Sequence, residues 1–144
     1  MKIEKFDNTT MINMESMHDS IVHSISIKDG TLEINYTNLT KEIFSNDGTP
    51  YYKYDNLTIH YKFDTFCTIT AFYKRKYKYF DVNSFLKKYS SFALRAYKVY
   101  IDNFKELTLK FDVYKKVNNI LHSCKLYCVE ISLDPKEIIY NWEY

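Results

Sequence analysis

Three stretches of the chain alternate apolar and polar residues with a period of two. Leu32, Ile34 and Tyr36 alternate with Thr31, Glu33 and Asn35, and Leu57, Ile59, Tyr61 and Phe63 alternate with Thr58, His60 and Lys62. Leu107, Leu109, Phe111 and Val113 repeat the pattern further on. Successive side chains of a strand face opposite ways, so such runs require strands with one buried and one wet face. An earlier run places Met17, Ile21, Ile25 and Ile27 in one phase and Ser20, Ser24 and Ser26 in the other. It leads into Lys28-Asp29-Gly30-Thr31. Asp-Gly suits a tight type I′ turn because both central residues need positive φ. The sequence thus predicts a hairpin over about 18–37.

The remaining segments follow by the same rules. The first 15 or so residues alternate poorly and read as an irregular arm. Asn46-Asp47-Gly48-Thr49-Pro50 makes residues 38–56 a long connection or two short edge pieces. A strand is expected from about Phe66 to Tyr73 and on towards Phe80, with Asp64-Thr65 as the turn before it. The period then changes: Phe85, Leu86, Tyr89, Phe92 and Ala93 lie on one helical stripe. Asp81 can cap it and Ser90-Ser91 can end it, which predicts a short helix over about 82–90. Strand spacing returns at Tyr97, Val99 and Ile101. Residues 121–133 are apolar on both faces, as in a central strand, and Pro135 is expected to stop it. The tail Ile138-Ile139-Tyr140-Asn141-Trp142 is too apolar to be free and should dock as a short helix or strand. The expected fold is one α+β domain over 1–144: a mostly antiparallel, curved and open sheet of about seven strands, with the helix packed on it.

Composition removes several classes. The 144 residues include 15 Tyr and 10 Phe but only 2 Gly and 2 Pro, and 46% are hydrophobic, which excludes disorder. Gly30 and Gly48 alone cannot build a phosphate loop or a dinucleotide fingerprint. Lys and Arg number 20 against 18 Asp and Glu, so the net charge of +2 draws neither nucleic acid nor anionic membrane from a distance. No apolar run approaches the ~20 residues of a membrane helix. The lack of an apolar leader and the odd count of 3 cysteines fit a cytoplasmic protein with reduced thiols. The Lys-, Asn-, Ile- and Tyr-rich usage fits a bacterial genome of low GC content.

Few constellations carry chemistry. Cys124 and Cys128 on a strand stand roughly 13 Å apart, too far to bridge or to share an ion. They and Cys67 read as small buried hydrophobes. His18-Asp19 invites comparison with metal phosphohydrolases but lacks their further ligands, so a structural role is expected, with Asp19 bracing the first strand. No nucleophile elbow is present, and no cofactor or metal is expected. The most suggestive segment runs from Tyr73 to Phe80. If extended, Tyr73, Arg75, Tyr77 and Tyr79 share a face, and such residues are enriched at binding hot spots. Tyr52 and Tyr54 form a second candidate surface of this kind. A solvated, lysine-protected strand is the plainer reading of both.

Met17-His18-Asp19-Ser20-Ile21-Val22 and the Ile138–Trp142 end resemble a group of small bacterial proteins, some of which are similar to immunity proteins of polymorphic toxin systems. The resemblance implies an antiparallel protein that binds another protein and does no chemistry. Toxin neutralisation by steric occlusion is the most concrete form of that expectation. The alternatives are single-stranded nucleic-acid binding through residues 73–79, an enzyme with a dispersed site, and a homodimer formed through edge strands or tyrosine faces.

Overall fold

Strands account for every regular element among the described residues. The computed structural model describes residues 2–7, 10, 20–44, 46–48, 50–73, 76–80, 92–102, 105–118 and 120–143. The strands are β1 (Lys2–Phe6), β2 (Ile21–Lys28), β3 (Thr31–Phe44), β4 (Pro50–Tyr73), β5 (Lys76–Phe80), β6 (Phe92–Asp102), β7 (Glu106–Val117) and β8 (Ile120–Glu143). The described residues thus form a mostly antiparallel sheet of eight strands, where the sequence predicts about seven. The predicted helix over 82–90 lies outside the described residues.

The turn that joins β2 to β3 is the predicted one. Asp29 and Gly30 have φ of 50° and 71°, and Lys28 pairs with Thr31 across them. A Cβ at Gly30 would meet nothing nearer than the Phe63 carbonyl oxygen at 3.7 Å, so glycine is needed for its φ rather than for space.

Neighbouring strands run β1-β8-β7-β6-β2-β3-β4-β5, and β8 pairs with β4 as well. That extra ladder closes β2, β3, β4, β8, β7 and β6 into a ring, whose seam among the described residues is the bridge between Ile21 of β2 and Arg95 of β6. The expected open sheet is corrected by this closure. Scarce glycine does not prevent it, because two long strands do the bending. β4 and β8, each 24 residues, pair from Asn56–Glu143 to Tyr73–Leu126. Midway the register breaks: Phe63 opposes Pro135 and Cys67 opposes Leu133, so Asp64, Thr65 and Phe66 bulge from β4. Strands that cross such breaks can serve two sheets. On one side of the break the order is β2-β3-β4-β8-β1, and on the other β5-β4-β8-β7-β6.

Four further expectations change here. Asp64-Thr65 is no hairpin turn, because the Asp134 carboxylate accepts the amide hydrogens of Thr65 (2.8 Å) and Phe66 (2.9 Å) and so satisfies the bulge. Pro135 does not stop β8; it sits at the register break, where a residue lacking N–H is tolerated. Residues 38–56 are not a long connection. One extra residue between Tyr36 and Leu39 keeps the β3–β4 ladder running to Phe44–Pro50, with Gly48 at φ 80° in the turn. Lys2–Phe6 is a strand rather than an irregular arm, paired with β8 from Lys2–Trp142 to Phe6–Ile138. Its alternation is weak because an inner-face position holds Glu4, whose carboxylate accepts the Trp142 indole hydrogen at 2.9 Å.

The inner faces meet in one buried cluster. It comprises Leu32, Ile34 and Tyr36 of β3; Leu57, Ile59, Tyr61, Ile69 and Ala71 of β4; Leu107 to Val113 in alternation on β7; and Val129, Ile131, Leu133, Ile138, Tyr140 and Trp142 of β8. On β8 the buried phase moves from odd to even numbers between Leu133 and Ile138, as the break at Pro135 requires. Each fully buried Leu, Ile or Val side chain contributes about 1.5–3 kcal/mol relative to an exposed one. Among the described residues, Trp142, Tyr36, Tyr61, Tyr140 and Phe111 are the largest fully buried side chains, and they pack inside the ring.

Candidate functional site

The richest arrangement of polar side chains lies on β3, β4 and β8, opposite the buried phase. Glu33 of β3 registers with His60 of β4, and Asn35 registers with Thr58, which in turn registers with Asn141 of β8. Directly opposed residues in a ladder share a face and lie within reach of one another.

Three hydrogen bonds tie these residues into fixed positions. The Asn35 amide donates to the Thr58 hydroxyl at 2.7 Å. The Asn141 amide Nδ2 lies 2.9 Å from His60 Nδ1, and His60 Nε2 lies 2.7 Å from Glu33 Oε2. An amide NH2 has only hydrogens to offer, so Nδ1 accepts and the imidazole hydrogen sits on Nε2, from which it donates to Glu33. Both ring nitrogens are therefore engaged. The side chains of His60 and Glu33 stay 30% and 47% exposed, so a partner can reach them. Lys62 and Glu137 form an adjoining ion pair at 2.9 Å, and the Lys62 hydrogen bond holds the Glu137 carboxyl below its usual range.

Elsewhere the polar groups serve the fold. Asp134 accepts both bulge amides and the Thr65 hydroxyl. Desolvation alone would raise its carboxyl, but the Phe66 amide, the Thr65 hydroxyl and the Thr65 amide outweigh that and hold it at about 2. Burial pushes the Cys67 thiol up to about 11, with the Asp134 charge adding to the effect, so this cysteine is a poor nucleophile. Cys128 is likewise raised, mainly by burial. Cys67 and Cys128 are free thiols. Among the described residues, no group of three or more His, Cys, Asp or Glu could hold a metal ion, and no helix is long and apolar enough to cross a membrane.

The tyrosines singled out by sequence lie on β4 and β5. β4 and β5 form a hairpin, and Tyr73 registers with Lys76, Tyr77 with Phe72, and Tyr79 with Thr70. Residues 73–80 are therefore not one continuous strand, since Tyr73 ends β4 and Lys76 opens the antiparallel β5. Arg75 lies outside the described residues. Tyr52 and Tyr54 register with Glu42 and Thr40 near the start of β4, and Tyr73 ends that strand. His18 and Asp19 also lie outside the described residues. The cluster at His60 was missed because its members fall on three strands far apart in sequence. The one signal was the polar phase of 31–37, 57–63 and 138–142, which the sequence cannot place in register.

Compared with known proteins, the chain matches no family model, no curated protein and no solved structure.

Proposed function

We propose that this chain is a non-enzymatic protein-binding module of the immunity type, which silences a partner by covering it with the outer face of β3, β4 and β8. The observation that carries the reading is the set arrangement at His60. His60 Nδ1 and Nε2 are both engaged, by Asn141 and Glu33, so the ring is held as part of a fixed polar surface. Side chains already held in place lose little freedom on binding, which favours a recognition surface.

The test is co-purification and titration with the product of the adjacent reading frame, using the wild type and the double variant Asn35→Arg with Asn141→Arg. A stoichiometric complex that weakens at least tenfold in the variant, together with loss of the partner's toxicity, supports the reading. No complex, or one indifferent to both substitutions, overturns it. Strong, steeply salt-dependent binding to a single-stranded oligonucleotide would favour the hairpin at 73–79 instead.

A further inference from the structure

The internal bonding of the His60 cluster decides what kind of group it can still receive. Asn35 commits one amide hydrogen to Thr58, Asn141 commits one to His60, and His60 commits its Nε2 hydrogen to Glu33. The two amide oxygens and the second carboxylate oxygen of Glu33 make no hydrogen bond among the described residues. Each amide keeps one hydrogen and Thr58 keeps its hydroxyl hydrogen, so unused lone pairs outnumber unused hydrogens. Charge points the same way. Glu33 has the His60 imidazole as its partner, and among the described residues no Lys or Arg forms an ion pair with it, whereas the neighbouring Glu137 is matched by Lys62.

We propose that this face recognises a guanidinium, an arginine side chain displayed by the protein partner. A guanidinium has five hydrogens in a fixed fork and accepts none, which complements a half-exposed carboxylate with two side-chain amides on the same face. An ammonium offers charge but not the fork, so it is the poorer fit. The inference rests on the protein-binding reading above and names the chemistry of the partner's anchoring residue.

The experiment titrates the full chain with N-acetyl-arginine amide at constant ionic strength and follows the side-chain NH2 signals of Asn35 and Asn141 by NMR. N-acetyl-lysine amide and Glu33→Gln serve as controls. The side-chain amide oxygen that Glu33→Gln introduces can still accept the His60 hydrogen, so the fold and the cluster persist while the charge is lost. Saturable shifts at both amides, at least tenfold weaker with the lysine probe and in Glu33→Gln, are expected. Absent shifts, or shifts unchanged by Glu33→Gln, overturn the proposal. The two readings fail separately. If arginine amide binds here but the neighbouring product does not, the protein-binding reading falls alone. If a complex forms but ignores Glu33→Gln and arginine amide shows no shift, only the guanidinium assignment falls.

Discussion

The hydroxyl of Tyr36 lies 3.3 Å from that of Tyr61, and both side chains are at most 1% exposed. They reach each other from β3 and β4 across the inner face, where burial raises the titration of both phenols well above the ordinary tyrosine range. One proton lies between the two oxygens, so each hydroxyl depends on the other.

Removing either hydroxyl strands its partner away from water, which costs about 1–3 kcal/mol. Tyr36→Phe and Tyr61→Phe should each lower stability to urea by about that much. The double variant should lose less than the sum of the two, since it leaves no stranded hydroxyl. Strict additivity of the two losses would disprove the mutual dependence.

Asp134 makes an acid-sensitive clamp. Its carboxyl is held at about 2, against ~3.9 for an unfolded aspartate. A depressed folded value means the stabilisation is fully present above about pH 4 and is lost as pH falls through about 2. Asp134→Ala should cost about 1–2 kcal/mol at neutral pH, the lower end applying because the site is near the surface. Thermal melts between pH 5 and pH 2 should show wild type and variant converging as the acid limit is approached. A constant gap across that range would exclude the clamp.

Trp142 is the only tryptophan and is 1% exposed, between Tyr140 and the Glu4 carboxylate. Its fluorescence should be blue-shifted in the native state and should move red in a single step on unfolding. Trp142→Ala should cost about 3–5 kcal/mol. Glu4→Gln, which keeps an acceptor for the indole, should cost under about 1 kcal/mol.

At Gly30 the φ of 71° sets the cost of any side chain, because the space above it is open. Gly30→Ala should lose about 1–2 kcal/mol through backbone strain alone. Gly30→Asn should lose less, as asparagine tolerates the left-handed region, and chemical denaturation of the two variants compares them directly.

Local chemistry was legible in the sequence where neighbours along the chain decide it. Asp29-Gly30 fixes its turn through φ, and Leu57, Ile59 and Tyr61 declare a buried face through period alone. Long-range partners decide the rest. Pro135 reads as a stop until Phe63 is known to sit opposite it, and Asp64-Thr65 reads as a turn until Asp134 is seen to hold its amides. Lys2–Phe6 gives almost no pattern, since an edge strand draws its order from β8. The His60 cluster needed three registers at once: Glu33 to His60, Asn35 to Thr58 and Thr58 to Asn141. The run from Tyr73 to Phe80 likewise depends on a pairing the sequence does not declare, the β4–β5 ladder that joins Tyr73 to Lys76.

β8 comes after the other seven strands in the chain and pairs with β1, β4 and β7. On a ribosome, those three must therefore emerge and wait with an unfilled side. Local hairpins such as β2–β3 can form early, but the ladder that joins the two layers cannot begin until residues 120–143 leave the exit tunnel. Vectorial folding is thus denied to this topology. Its newly made chains are at their most adhesive just before β8 clears the exit tunnel, when long apolar strands still lack the partner that will cover them.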